Sequence, residues 1–165
     1  MALRNILQEG DDALRKTSRE VSEINDRIKM ILDDMKETMV EGNGVGLAAP
    51  QVGILRRMFV AMPDTEAESP EIMDFINPEI METEGEQEGE EGCLSVPGYA
   101  GTVKRPAKLR IKFTDRDGRE QIRDFEDHGA VVICHEYDHL DGILYTDKAY
   151  DVRAIGMPED TEEEK

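Results

Sequence analysis

The sequence is short of basic charge, of cysteine and of long apolar runs. Its 20 lysines and arginines stand against 38 acidic residues, a formal net charge of -18 over 165 residues. Nucleic-acid affinity comes largely from basic side chains displacing phosphate counterions, so this balance excludes a broad phosphate-neutralising surface, and no direct nucleic-acid partner is expected. The two cysteines, Cys93 and Cys134, are too few for a disulfide framework; in a reducing compartment such thiols bind metal or fill space. No run approaches the roughly 20 apolar residues of a membrane span. The opening MALRNILQEGDDALRK lacks the charged start and apolar stretch of a secretory signal. A cytoplasmic protein with no membrane partner is expected.

The length suits one domain with a genuine core. Residues 1–150 read as that domain, and 151–165, ending in MPEDTEEEK, as an acidic tail with too little to bury and a tendency to fray. Ile24, Ile28, Ile31, Leu32, Met35 and Met39 recur at spacings of three and four, which predicts a helix from about Asn25 to Glu41, ended by Gly42. From Val45 to Phe125, short apolar runs such as MFVAM (58–62) and DFINPEI (74–80) are punctuated by Gly and Pro, as antiparallel strands would be. Leu109, Ile111 and Phe113 alternate, and DRDG (115–118) supplies the turn of a hairpin. The acidic stretches 63–71 and 84–92 read as loops, the second leading into Cys93. Asp127 is a plausible N-cap for a second helix that runs through AVVICHEYDHL and stops near Gly142.

That second helix contains HEYDH, residues 135–139. Positions i and i+4 lie about 40° apart around a helix axis and one turn along it, so His135 and His139 aim at one point while Glu136 projects beside it. The chain has only three histidines, and two fall at this spacing; the third, His128, reads as an exposed residue preceding the helix. The HExxH pair is shared by several kinds of zinc hydrolase, and the third ligand separates them. In HEYDHLDGILY the position where some proteases carry a third histidine holds Tyr145, and the next downstream glutamate is Glu159, in the tail. A soft donor upstream remains. Cys93, in EGCLS, would complete a three-ligand set as a thiolate, leaving a fourth position for water. Cys134 is a weaker candidate, because adjacent helix positions diverge by about 100°, and is expected to pack against the sheet.

With these pieces in place, the chain resembles the bacterial-type peptide deformylases. That family carries three short motifs, matched in order by GVGLAAPQ (44–51), EGCLS (91–95) and HEYDH (135–139), with further similarity in SVPGYAGTVKRP (95–106) and HLDGILYTDK (139–148). The resemblance implies an α+β fold in which antiparallel sheets pack around a central HExxH helix, with a further helix near the N-terminus. It implies hydrolysis of the N-formyl group from N-formylmethionyl peptides, with formate as a product and water activated on the metal as nucleophile. The ligands would be Cys93, His135 and His139. The ion would most often be Fe(II), replaceable by zinc, nickel or cobalt. Glu136 would act as base and then acid, with the Gln51 side chain and the Leu94 N–H as oxyanion donors. Val45, Gly46 and Gly92 would meet an extended substrate, and Val131 and Val132 either wall a methionine pocket or simply pack in the core. Arg105 would brace the Cys93 loop through Glu91, or stand as a solvated charge.

Two departures accompany the resemblance. Cys134 stands where many members carry Gln, which removes a possible hydrogen bond beside the first metal histidine. The chain also has an acidic C-terminus where some relatives have a basic helix for the ribosome, so nascent chains would be met at the ribosome without that contact. A monomer is expected. A metallopeptidase using a different third ligand, and a non-catalytic metal- or formyl-peptide-binding protein, are the competing readings.

Overall fold

The computed structural model describes residues 2–155. Helix α1 (Asp26–Glu41) starts where the Asn25 side chain accepts a hydrogen bond from the Ile28 N–H at 3.0 Å, and it ends at Gly42. This is the helix that the three-and-four spacing predicts. Its apolar stripe, including Ile31, Leu32, Met35 and Met39, is fully buried, each such side chain being worth about 1.5–3 kcal/mol relative to exposure.

A five-stranded antiparallel sheet has the order β1-β2-β3-β6-β7, made of β1 (Gly46–Ala48), β2 (Met58–Ala61), β3 (Met73–Glu84), β6 (Lys108–Thr114) and β7 (Glu120–Glu126). Successive residues of a strand face opposite sides, and β2 is buried on both. Met58 and Val60 pack with α1, whereas Phe59 and Ala61 pack with helix α2 (His128–His139). The α2 side contains an aromatic stack in which Phe75 lies 4.7 Å from Phe59 and 4.4 Å from Phe113, centroid to centroid. Cys134 lies in this core, as expected.

A second sheet, β4 (Gln87–Cys93), β5 (Val96–Arg105) and β8 (Tyr150–Ala154), has the order β4-β5-β8. Its core holds Leu14, Val96, Val103, Leu144 and Tyr145; Tyr145 opens the short helix α3 (Tyr145–Lys148). Between the helices, Gly142 adopts φ +76°, and a Cβ there would lie 2.5 Å from the Arg15 carbonyl oxygen. Only glycine permits both the left-handed turn and this approach.

Four readings of the sequence are corrected. The acidic segment 84–92 is not a loop: most of it is strand β4, paired with β5 in a register that sets Glu88 opposite Lys104 and Gln87 opposite Arg105. Long-range pairing with a basic partner overrides the low strand propensity of Glu and Gly. Asp127 precedes α2 as expected, but with φ +56° its side chain makes no capping bond. His128 is the first residue of α2, not a residue before it. In the segment read as a tail, residues 151–154 belong to β8; the rest, including Glu159, lies outside the described residues. No described helix is long and apolar enough to cross a membrane.

Candidate metal centre

The rigid half of the site is α2. His135 and His139 sit one turn apart, ring centroids 5.1 Å from each other. The β4–β5 turn brings Cys93 against them, with Sγ 3.5 Å from His139 Nε2. The ligand atoms of Cys93, His135 and His139 all lie within 4.8 Å of one another, the only such group of His, Cys and carboxylate donors among the described residues. Cys134, adjacent in sequence, faces the core instead, and burial pushes its thiol up to about 11. It stays a neutral space-filler.

Among the candidate ligands, His135 is held from behind. His135 Nδ1 donates to Glu91 Oε1 at 2.9 Å; a carboxylate can only accept, so Nδ1 carries a hydrogen and Nε2 is the nitrogen left to bind. Glu91 is gripped by Arg105 through bonds of 2.8 and 2.9 Å, and Arg105 also donates to Asp138 at 2.8 Å. Lys148 lies 3.0 Å from Asp138. Arg105 is only 3% exposed, which excludes the solvated-charge reading. The Tyr145 ring stacks on His135 at 6.0 Å.

Electrostatics follow from this packing. Burial, reinforced by His135 and Arg105, holds His139 well below its ordinary range, so it is neutral with a lone pair to give. Burial also raises Glu136 to about 7, with Glu91 and Asp138 adding to the effect and His135 and Arg105 opposing it. A carboxyl balanced near neutrality can both accept and return a proton. Glu91 behaves oppositely: burial pushes it up, but Arg105 and His135 outweigh burial and hold it at about 2.

The Glu91 shift has a measurable consequence. A carboxylate with a depressed folded pKa contributes stability above its unfolded value, here 4.5, and loses that contribution as pH falls towards about 2. The contribution is roughly 3 kcal/mol at neutral pH. Denaturant unfolding at pH 7, 4.5 and 3 is expected to show this loss in the wild type and a flatter pH dependence in Glu91→Gln. Parallel profiles for the two proteins would contradict the assignment.

Two of the candidate ligands, Cys93 and His135, border a cleft of about 360 Å³ lined in part by Val45, Gly46, Gln51, Gly92, Leu94, Val131, Val132 and Glu136. The two valines divide: Val131 is half-buried on the cleft wall, whereas Val132 is also a core residue. Gln51 is pinned by its own amide. Oε1 accepts from the Ala48 N–H at 2.9 Å, which turns Nε2 towards Ser95 Oγ at 3.0 Å and Cys93 Sγ at 3.6 Å. The glycines do something the sequence did not suggest. A Cβ on Gly44 would lie 2.9 Å from the Leu94 side chain, and one on Gly46 would lie 2.5 Å from Glu136 Oε2. Their missing side chains make room for protein groups of the site itself.

Several contributors were missed in the sequence. Asp138 and Lys148 extend the Arg105 network, and Asp138, three residues after His135 on one helix, carried a spacing signal. His128 lines the cleft. The N-terminal segment also braces both oxyanion candidates' neighbourhoods: the Leu7 N–H donates to the Gln51 carbonyl at 2.7 Å, and the Glu9 N–H to the Ser95 carbonyl at 2.8 Å. No local pattern announces such pairing.

Residues 3–154 match the model of the family described as polypeptide deformylase. The chain belongs to that family. A peptide deformylase of Acetivibrio thermocellus is 53% identical over 148 residues, covering 90% of this chain and 84% of that protein. One of Agathobacter rectalis is 52% identical over 163 residues, covering 99% and 100%. The crystal structure of a peptide deformylase from Legionella pneumophila superposes with a TM-score of 0.85 at 39% identity, covering 90% of this chain and 87% of that one. The chain is accordingly a deformylase, a metal-dependent hydrolase that removes the formyl group from N-formylmethionyl peptides during protein biosynthesis. The Cys/His/His cluster is its candidate metal site. The expected α+β architecture, with antiparallel sheets and the HExxH helix, is the architecture of this deformylase.

Proposed function

We propose that Cys93, His135 and His139 hold one divalent ion and that Glu136 moves the proton in deformylation. The observation that carries this reading is the convergence of one thiol and two imidazoles within 4.8 Å beside a buried carboxyl. Fit is supported by unpaired atoms. Among the described residues, buried side-chain atoms without a partner include Glu136 Oε1, His139 Nδ1 and the Tyr145 hydroxyl. Folded proteins satisfy the large majority of such atoms, and the Glu136 carboxyl, which lines the cleft, is one that a bound group would complete. One thiolate and two neutral imidazoles suit late first-row divalent metals; we take Fe(II) as the native ion, with zinc, nickel or cobalt as substitutes.

A divalent ion held there supplies Lewis acidity that makes water a nucleophile near neutral pH. Glu136 accepts the proton of the attacking water and later delivers it to the leaving methionyl nitrogen. Gln51 Nε2 and the Leu94 N–H donate to the formyl oxygen as charge develops on it. Strands β1 and β4 are the edges of their sheets and both border the cleft. The backbone at Val45, Gly46 and Gly92 can therefore pair with an extended peptide, while Val131, with Val132 behind it, walls the methionine side chain. Glu91 and Arg105 hold the His135 and Cys93 side of the site in place.

The substrates are nascent chains bearing N-formylmethionine, met in the cytoplasm at the ribosome by a monomer. A metallopeptidase reading needs a protein ligand other than Cys93, and no observation favours one. Anaerobically prepared, Fe(II)-loaded protein is expected to release formate from a formyl-Met tripeptide and to leave its internal peptide bonds uncut. Gln51→Ala is expected to lower kcat by about 10²–10³, the usual cost of one oxyanion donor. Unchanged kcat in that variant would remove Gln51 from the mechanism.

A further inference from the structure

Residues 2–18 run past all three pieces of chain that build the site. At one end, Arg4 is fixed to α1. Its guanidinium holds Asp34 Oδ2 through Nε at 3.0 Å and Nη2 at 2.9 Å, and its backbone N–H donates to Thr38 Oγ1 at 2.9 Å. The Ala2 N–H donates to the other oxygen of Asp34 at 2.8 Å. Asp34 is 4% exposed, which makes it a buried anchor. Farther along come the bonds from Leu7 to Gln51 and from Glu9 to Ser95, and at the far end the Ser18 N–H donates to the Leu140 carbonyl at 2.8 Å, next to His139. Ile6 and Leu7 are half-buried and pack on different cores, that of α1 and that of the second sheet, while Ala2, Leu3, Asn5, Gln8 and Glu9 are exposed. A segment with so little apolar surface to bury is held by its polar bonds, and charged pairs such as Arg4–Asp34 are the stronger ones.

We propose that Arg4 is a positioning residue for deformylation: bound to Asp34, it pins residues 2–9, and these hold the Gln51 amide in register with the turn that carries Cys93 and Leu94. This role rests on the deformylase reading, with Gln51 as an oxyanion donor, and adds what keeps that donor in place. Two residues of chain span at most about 7 Å. Leu7 and Glu9 are two residues apart, so with both bonds made the Gln51 and Ser95 carbonyls are tied to one short piece of backbone. Gln51 needs such a tie. It follows β1 of one sheet, whereas Ser95 lies between β4 and β5 of the other. The direct bond between them, Gln51 Nε2 to Ser95 Oγ at 3.0 Å, comes from the same nitrogen that must turn to the formyl oxygen as charge develops there. A donor displaced from its aim stabilises that charge less. Arg4 is outside the cleft lining and acts only through this displacement.

The test is formate release from formyl-Met-Ala-Ser by the metal-loaded protein, with metal content and thermal midpoint measured on the same samples. Arg4→Ala is expected to lower kcat about 5–20-fold, less than the roughly 10²-fold that a 1 Å misplacement can cost, with KM within about twofold of wild type. Metal content should stay unchanged, and hydrogen exchange at the Leu7 and Glu9 amides should speed up. Arg4→Lys, which keeps a cation for Asp34, should recover most of kcat. Arg4→Ala leaves a buried carboxylate without its cation, so Arg4→Met/Asp34→Asn is the second variant; it should show the same fall in kcat with a midpoint closer to wild type. In a Gln51→Ala background, Arg4→Ala should cost no more than about twofold, because the group it positions is gone. Arg116→Ala breaks comparable pairs, with Asp33 of α1 and Asp74 of β3, away from the cleft lining, and should leave kcat alone. An equal fall in kcat there would identify general loosening and overturn the proposal. Unchanged kcat in both Arg4 variants, a loss confined to KM or to metal, or a fully additive loss in the Gln51→Ala background overturns it as well. A wild type that releases no formate would instead sink the deformylase reading, and the positioning role with it.

Discussion

Glu136→Gln is expected to lower kcat by about 10²–10⁴ while the protein keeps its metal, the loss typical of removing a general acid–base group. Glutamine matches the volume of glutamate, so the packing around α2 persists. Its amide, however, cannot take a proton from water and return it to an amine. Glu136 also has little freedom to be replaced by a shifted neighbour. It is 4% exposed, and the backbone at Gly46 lies so close that a Cβ there would be 2.5 Å from Oε2. Metal content and kcat measured on the same sample distinguish the outcomes. Wild-type turnover in the variant would refute the proton-transfer role, whereas loss of metal would show that Glu136 supports the ligands. KM is expected to change far less than kcat, because the interaction is made in the transition state.

Cys93→Ala is expected to lose the metal, and turnover with it. Removing an outer-shell partner of a metal ligand costs about 10–100-fold in affinity, and removing a ligand outright should exceed that. No neighbour can take its place. Cys134 is the other thiol, but burial pushes it up to about 11, and it faces the core. Gln51 Nε2, 3.6 Å from Cys93 Sγ, is a donor and offers no lone pair to a cation. Dialysis against a chelator, followed by metal analysis, is the direct measurement. A variant that retains one equivalent of metal through dialysis would remove Cys93 from the ligand set. Cys93→Ser keeps a small polar group but exchanges a soft donor for a hard one, and is expected to fall between alanine and wild type.

The two variants separate the halves of the site, and they differ in how visible each half was before folding. His135, Glu136 and His139 lie within one helix, where 3.6 residues per turn convert spacing directly into geometry. The apolar stripe of α1 and the alternation of Leu109, Ile111 and Phe113 were legible for the same reason. The segment 84–92 was not. Its glutamates and glycines argue locally for a loop, and only pairing with β5 makes it a strand and turns Glu91 inward onto Arg105 and His135.

Sequence alone determined the histidine pair, the carboxylate beside it and, through the three motifs, the deformylase resemblance that named Cys93, Gln51 and Leu94. Tertiary structure decided what lies across long separations. Cys93 is 46 residues from His139 and meets it only because β4 and β5 turn at that point. Gly46 is spare room for Glu136, a use invisible until α2 is laid against β1. Arg105 changes from a possible surface charge to the buried clamp of Glu91 and Asp138. A helix brings residues three and four apart together by its own pitch. Contacts between sheets, turns and strand edges depend on which segments pair, and that choice belongs to the packing of the whole chain.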